Sequence, residues 1–554
     1  MKKQSTVNAY IHQAVVDYWN SEALTNLHAE TYTYKDIARK ITKIHIMFEA
    51  GDLKPGDKVA LCGGNSAEWI MAFLAVISYG AVAVPILNEF TSDTLHHLIN
   101  HSDAKVLFVD SNIWKRLEAD AMPELIATVC VEDYSLLLCR DEKVMDARQR
   151  LNELFGRRYP ERFTPEDVKF AEVGPESTVL INYTAGSTGF SKGVMISEHA
   201  LWSNLQYCFD HLDDLKAGDN MLSLLPLAHM YGLVIEMLHP LLKGCHVYLL
   251  NRTPSPKILI DAFSIVKPKL IISVPLVLEK IIKTRVFPKM RKPFMKILLH
   301  IPGIRGRILA KVRQSLIDAF GGNLIEMIIG GAALDKTVEA FLHEINFPIT
   351  VGYGMTECAP LISYCPHATY KAGSCGKVVE RMNVRIDSPD PTTRPGILWV
   401  KGENVMQGYY KNEEATQSVI KNGWMSTGDI CQIDTEGNIF IRGRDKNMIL
   451  GPSGQNIYPE EIEAVINDNP LVVESVVIDN NGRIEALIYP DFELVNDRGL
   501  NEEAALQAAL RELITDANKK LPNYSQIADV HIQPTEFEKT PKRSIKRYLY
   551  QPNQ

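Results

Sequence analysis

The chain has 554 residues, 46% of them hydrophobic and 23% charged, with a formal net charge of −8. That is the mix of a soluble multi-domain protein, and it excludes wholesale disorder, collagen-like or coiled-coil fibres and a dedicated nucleic-acid binder. Nine scattered cysteines with no CxxC pair argue against a disulfide scaffold or structural zinc and for a reducing compartment. The N-terminus shows no apolar leader, so a cytoplasmic location is expected.

Taken in order, the predicted elements alternate. Tyr34–Glu49 reads as a helix and Lys58–Cys62 as a buried strand. The uncharged run Trp69–Leu87 spans 19 residues, just long enough to cross a bilayer. Gly80 and Pro85 punctuate it, which favours a buried helix followed by a buried strand at Ala81–Val84. Lys105–Val109, Ser177–Ile181, Met221–Leu225, His246–Leu250, Lys269–Val274 and Met327–Ile329 read as further buried strands, and Ser197–Phe209 as a helix. Alternation of this kind predicts layered, parallel α/β subdomains with crossover helices. From about 378 to 443 short runs separated by Gly, Pro, Asp and Asn predict a β-rich subdomain, with strands near Asn383–Ile386, Gly396–Val400 and Asn438–Ile441. After Arg444 a small α+β module is expected: helices at Pro459–Ile466 and Glu502–Leu521, strands at Val472–Ile478 and Arg483–Tyr489. The fold class is therefore α/β, with a large N-terminal domain (1–443), its β-rich part included, and a small C-terminal domain (444–554).

The most informative string is Tyr183–Val194, YTAGSTGFSKGV. Gly186 and Gly189 allow a tight turn that presents backbone N–H groups. Thr184, Ser187 and Thr188 add donors, and Lys192 adds a point charge. Together they suit a polyphosphate. The string is not a Walker A loop, because Ser191 stands where that pattern needs glycine before the lysine.

This string resembles the phosphate-binding loop of the adenylate-forming superfamily, and the chain as a whole is most similar to the long-chain fatty acyl-CoA synthetases within it. Five further motifs follow in the family's order: Leu225–Gly232 (LPLAHMYG), Gly330–Leu334 (GGAAL), Val351–Glu357 (VGYGMTE), Ser426–Asp429 (STGD) and Gly443–Glu463. The resemblance implies ATP, Mg²⁺ and CoA as cofactors and assigns roles. Gly331, Ala332 and Ala333 would lie beside adenine, with Tyr353 stacked on it and Gly354 next to it. Thr356 would contact the α-phosphate. Glu357, with Thr188, would ligate Mg²⁺, a hard cation that wants oxygen ligands. Asp429 would hold the ribose hydroxyls, helped by Arg444. His229 would lie between the acyl pocket and the CoA tunnel. Lys446 would be the hinge about which a mobile C-terminal domain rotates between the two half-reactions, and Gly454 and Asn456 would meet the thiol donor.

One departure from the family pattern stands at the C-terminus. The family usually ends Thr-x-Ser/Thr-Gly-Lys-Ile-x-Arg, and its lysine bridges carboxylate and phosphate. Here Thr540-Pro541-Lys542-Arg543-Ser544-Ile545-Lys546-Arg547 places Ser544 at the lysine position. Lys542 or Lys546 is expected to substitute.

The motif Leu225–Gly232 offers no carboxylate to pair with an amino acid's ammonium, so an apolar acyl chain is expected, of medium to long length. The acceptor would be CoA or a separate acyl carrier protein. From 280 to 313 the chain carries 11 basic and no acidic residues among apolar ones. Such a stretch can lie on an anionic membrane surface or be a solvated basic face. The expected activity is an AMP-forming fatty acid–CoA ligase. An acyl carrier protein synthetase or aryl-acid ligase stands second, and a non-catalytic nucleotide-binding homologue third.

Overall fold

The computed structural model describes residues 3–184, 191–212, 214–250, 256–301, 303–450, 455–480, 482–540 and 545–551. An eight-stranded sheet forms the first layer. Its order is Gly408–Tyr409, Lys192–Ser197, Thr178–Thr184, Val82–Ile86, Lys58–Cys62, Ala104–Val109, Ala127–Cys130, Leu136–Cys139. The five central strands run parallel and are apolar on both faces, as crossover helices require.

Both edges depart from the all-parallel expectation. Lys192–Ser197 returns antiparallel to Thr178–Thr184, with Thr184 opposite Lys192, and Leu136–Cys139 returns antiparallel to Ala127–Cys130. The connections are too short for a parallel crossover, which needs a dozen or more residues, so only a hairpin fits. Lys192 therefore opens a strand instead of sitting inside a loop.

The uncharged run Trp69–Leu87 resolves into helix and strand. Helix Ala67–Tyr79 starts where Ser66 caps the N–H of Trp69, and ends at Gly80 in the left-handed region (φ 84°). A side chain at Gly80 would be strained there. Strand Val82–Ile86 follows, fully buried. Among the described residues no helix is long and apolar enough to cross a membrane.

A second sheet orders Asn220–Ser223, His246–Leu249, Glu22–Asn26 and Thr31–Thr33. A third, all parallel, orders Leu270–Ser273, Glu326–Ile329 and Ile349–Val351. The β-rich part is antiparallel, with Met382–Asp387, Gly396–Gly402 and Trp424–Ile433 at its centre and Ile439–Arg444 on the last of these. Gly396–Gly402 alternates buried and partly exposed positions along most of its length, the two-residue period of a one-sided strand.

The C-terminal part has its own sheet, Val472–Asn480, Arg483–Pro490 and Asp529–Ile532. Helices Pro459–Asn467 and Glu503–Asn518 cover it, and Ile462, Ile466, Ile488 and Leu510 fill a core separate from the main one. A further helix, Phe492–Asp497, is capped by Asp491. The sequence pattern did not single it out, because six residues are too few to show a helical period.

Candidate functional site

The parallel strands end together. Gly63, Leu87 and Asp110 follow strands of the first sheet and Thr184 ends one, Leu224 and Leu250 follow strands of the second, and Val274, Gly330 and Gly352 strands of the third. All of these line one cavity of about 1590 Å³. Ligands of open α/β sheets bind outside the carboxyl ends of the strands, so the topology itself marks this cavity.

One wall carries the nucleotide motifs. Gly331, Ala332, Tyr353, Gly354, Thr356 and Glu357 all line the cavity. Ala333 is exposed and lies outside the lining. A Cβ at Gly354 would come within 2.1 Å of the Pro360 carbonyl oxygen, so glycine is required for that close approach. Tyr353 is buried and donates its hydroxyl to Asp429 over 2.5 Å. Arg444, exposed and itself part of the cavity lining, approaches the other Asp429 oxygen at 2.7 Å. Burial pushes the Asp429 carboxyl up, and the Arg444 guanidinium and Tyr353 hydroxyl oppose that shift. Asp429 thus stands behind Tyr353 and outside the lining.

Glu357 accepts a hydrogen bond from the Tyr409 hydroxyl at 3.0 Å, and the Lys192 ammonium lies 4.8 Å from the Tyr409 ring centroid. Tyr409 therefore links the two charged residues that the motifs singled out. Its position in the two-residue edge strand Gly408–Tyr409 gave no sequence signal. Among the described residues no three His, Cys, Asp or Glu side chains group to hold a metal ion. A single carboxylate at the wall fits Mg²⁺, which arrives with nucleotide phosphates and needs one or two protein carboxylates.

The opposite wall is built by Leu225–Tyr231 with Tyr207, Leu212, Leu259, Val277 and Ile281. Of the lining contributed by residues 207 to 281, Lys280 is the one charged side chain among the described residues. His229 lines the cavity, and its backbone N–H donates to Pro226 at 3.0 Å. Behind this wall Glu236 is fully buried on the π-helical stretch Tyr231–Leu238. Its carboxyl accepts from the N–H groups of Leu224 and Leu225, both at 2.9 Å, and from the Ser223 hydroxyl at 3.2 Å. Burial pushes its pKa up to about 8. Glu236 had no sequence signal, since a lone glutamate in an apolar stretch shows its partners only in three dimensions.

A third stretch of lining includes Glu68, Asp110 and Glu132. These carboxylates serve the loops around them. Gly64 N–H donates to Asp110 at 2.8 Å, Ser111 N–H to Glu132 at 2.9 Å, and the Asn26 amide to Glu68 at 2.9 Å.

The C-terminal part contributes Glu474 and Thr540 to the lining. Lys539 pairs with Glu474 at 2.8 Å and forms an antiparallel bridge with Ile545. Lys546 pairs with Glu538 at 3.3 Å and lies outside the lining. Arg547 grips the buried Glu463 with both nitrogens. Lys446 is exposed in the short turn Asp445–Asn447, and Asn456 is exposed in the strand Asn456–Ile457; neither lines the cavity. Thr184 lines it. Gly186, Ser187, Thr188, Gly189, Gly454, Lys542 and Ser544 lie outside the described residues.

The chain matches the AMP-binding enzyme family over residues 11–410 and the AMP-binding enzyme C-terminal domain over residues 446–551. It is 27% identical to a long-chain-fatty-acid–CoA ligase of Escherichia coli O6:H1, over 95% of this chain and 91% of that protein. It is also 27% identical to an indoleacetate–CoA ligase of Aromatoleum aromaticum, over 82% of this chain and 80% of that one. The crystal structure of an anthranilate CoA ligase in complex with anthranoyl-AMP superposes with a TM-score of 0.76, at 19% identity and with 99% and 97% of the two chains covered.

Proposed function

The chain belongs to the AMP-binding enzyme family, and on that premise we propose that it is an AMP-forming ligase that joins a medium- to long-chain fatty acid to CoA. The observation that carries this reading is the cavity itself. A nucleotide wall built on Tyr353, Thr356 and Glu357 runs into a wall whose only charge among the described residues is Lys280. An amino-acid substrate would leave its ammonium without a carboxylate on that wall, at a high desolvation cost. An apolar acyl chain meets no such cost there.

In the first half-reaction a carboxylate oxygen of the acid attacks the α-phosphorus of ATP. The bond to the β-phosphate oxygen breaks and pyrophosphate leaves. Negative charge gathers on phosphoryl oxygens, and Thr356, Lys192 and the N–H groups of 184–189 are the donors assigned to it. Glu357 and Thr188 would hold Mg²⁺, which would supply electrostatic stabilisation of the phosphates. Tyr353, Gly331 and Ala332 are the residues proposed to hold adenine, with Ala333 outside the cavity, and Asp429 with Arg444 the ribose. In the second half-reaction the CoA thiol sulfur attacks the acyl carbonyl, the thiol proton leaves to solvent or base, and AMP departs. His229 lies where acyl group and thiol would meet. Lys446 is the proposed hinge, with Gly454 and Asn456 facing CoA after rotation, because water must be kept from the adenylate between the steps.

The Ser544 position leaves the bridging cation to Lys542 or Lys546. An acyl carrier protein is the second acceptor, and an anionic membrane surface the proposed partner of 280–313. The test is pyrophosphate release from ATP with acetate, octanoate, palmitate, a cinnamate and phenylalanine, each with and without CoA. CoA-dependent release peaking at palmitate is the expected result. A peak at cinnamate, or release only with carrier protein, would replace the reading by one of its rivals. No release with ATP still bound would point to a non-catalytic homologue.

A further inference from the structure

We infer that His101 and Asp103, at and just after the end of helix Ser92–His101, are positioning residues that set Lys192 and Tyr409 against the nucleotide phosphates. This rests on the nucleotide part of the reading above and not on the identity of the acid.

Lys192 needs such a support. It opens the return strand of a hairpin, with Thr184 opposite Lys192 and Tyr183 opposite Gly193. The strand beyond it, Gly408–Tyr409, is two residues long and closes the edge of the sheet. A lysine offers one point charge on a flexible stem, so its placement depends on the backbone that carries it. Tyr409 adds the second link, since its hydroxyl donates to Glu357 at 3.0 Å and its ring lies 4.8 Å from the Lys192 ammonium.

Two contacts from one helix end close on this hairpin. On the outgoing strand, the Tyr183 hydroxyl shares a 2.7 Å hydrogen bond with His101 Nδ1. Tyr183 is buried, so its hydroxyl requires a partner, and His101 supplies it. On the return strand, the Tyr410 N–H donates to the Gly193 carbonyl at 2.7 Å, and the Tyr410 hydroxyl donates to Asp103 at 2.6 Å. Asp103 also accepts from the Lys411 ammonium at 2.7 Å, which reaches the His101 carbonyl at 3.1 Å. The His101 ring meets the rings of Tyr183 and Tyr410 edge to face, at 5.8 and 5.9 Å. Tyr183 and Gly193 are cross-strand partners, so both contacts grip one rung of the hairpin, and Lys192 is the next residue.

The local backbone fits this role. Asp103 (φ 57°) and Lys411 (φ 52°) both lie in the left-handed region. That conformation is uncommon for lysine and persists where the surroundings over-determine it. A Cβ at Gly193 would come within 3.1 Å of the Tyr183 ring, so the ring lies tight against the strand that carries Lys192. Burial, the His97 imidazole and the Lys411 ammonium hold the His101 pKa below its usual value, against the pull of Asp103. The ring is therefore neutral at pH 7 and holds Tyr183 without adding charge. Neither His101 nor Asp103 lines the cavity, so each acts through the residues it holds.

The test is titration calorimetry on the full chain with ATP and Mg²⁺ and, separately, with AMP. AMP lacks the β- and γ-phosphates, so the difference between the two reads the phosphate side. His101→Ala and Tyr183→Phe remove the two halves of one bond. Each should weaken ATP binding about tenfold and leave AMP affinity within about twofold. Asp103→Ala should do the same. His101→Asn keeps an amide where Nδ1 lay and should restore ATP affinity to within about threefold of the parent. Where a carboxylate is turned over, pyrophosphate release should fall roughly 10- to 100-fold in the alanine variants, while thioester formation from ready-made acyl-adenylate holds. Equal loss of ATP and AMP affinity would show a merely structural role and overturn the inference. Unchanged ATP affinity, or a loss that His101→Asn does not restore, would overturn it too. The expected difference in binding, with no carboxylate turned over, would uphold the positioning and remove the ligase reading. A parent that binds neither nucleotide would overturn both.

Discussion

Tyr353 and Asp429 share a 2.5 Å hydrogen bond across 76 residues, and it joins the string Val351–Glu357 to the string Ser426–Asp429. Arg444 holds the second oxygen of the same carboxylate at 2.7 Å. The buried carboxylate is thereby fixed in orientation, and the ribose contact proposed for it predicts a nucleotide-binding defect on its removal. Asp429→Ala removes an ionic acceptor, and bonds to charged groups contribute about 1.5–3 kcal/mol, so ATP affinity should fall roughly 10- to 150-fold. Tyr353→Phe keeps the ring and removes only a bond that orients Asp429, so it should cost less, about fivefold, the scale of one ordinary hydrogen bond of about 1 kcal/mol. Titration calorimetry with ATP checks both. An Asp429→Ala protein that binds ATP as the parent does would remove Asp429 from the nucleotide site.

Of the two lysines proposed to replace the one displaced at Ser544, we propose Lys542 as the first to test. Lys546 is engaged by Glu538, and Lys539 by Glu474 and Glu536, each in an ion pair. Thr540 lines the cavity, and Lys542 follows it by two residues. Lys542→Ala should therefore lower pyrophosphate release by roughly 100-fold or more, the scale expected when a charge that stabilises the transition state is lost. Lys546→Ala should change it by less than about fivefold, the scale of an exposed ion pair. Thioester formation from chemically made acyl-adenylate should survive Lys542→Ala, because that lysine is assigned to the first half-reaction alone. Equal activity of both single variants and the double variant with the parent would end the substitution hypothesis.

Much of the site was legible because its motifs are local. VGYGMTE gives Tyr353, Thr356 and Glu357 in one string, and the strands flanking it show in the apolar runs. What stayed hidden depends on pairing between distant segments. Tyr409 reaches Glu357 across 52 residues, and Glu236 turns its carboxyl onto the backbone of Leu224 and Leu225. No local pattern records such contacts. The antiparallel edges were missed for a related reason. Apolar runs report burial, and strand direction follows from the length of the connection, which the Gly-rich string left ambiguous. The helix-then-strand reading of Trp69–Leu87 succeeded because Gly80 is itself the local signal.

Glu236 makes stability depend on pH. Burial raises its folded pKa to about 8, from an ordinary carboxylate value near 4.5. A carboxyl raised in this way stabilises most when protonated in both states, below about pH 4.5, and that contribution is lost as pH rises toward 8. The loss is about 1.4 kcal/mol per pH unit across that window. The urea midpoint of the parent should therefore fall between pH 5 and 8. Glu236→Leu has no such group, so its midpoint should be flat over the window once other titrations are subtracted, although it frees two N–H groups and starts lower. Parallel pH slopes in the two proteins would show that Glu236 is ionised in the fold.

Arg547 closes the family's last motif, yet its partner is structural. Both guanidinium nitrogens engage Glu463, which is buried in helix Pro459–Asn467 and also accepts the Val477 N–H at 2.7 Å. The pair ties the segment after Ile545 to the helix and sheet of the C-terminal part, and Lys542 and Lys546 precede Arg547 on the same short stretch. Arg547→Met would leave Glu463 buried and uncompensated, which costs about 3–5 kcal/mol when one partner of such a pair is removed. Replacing both, Glu463→Leu with Arg547→Met, leaves no stranded charge and should recover a large share of that stability. Adenylate formation should fail in both proteins, because the segment bearing the lysines loses its tether, while ATP binding to the wall of Tyr353 and Asp429 should persist. Thermal unfolding of the two variants, read beside pyrophosphate release, separates the claims. A double variant that regains stability and activity together would mean that the tether lies elsewhere.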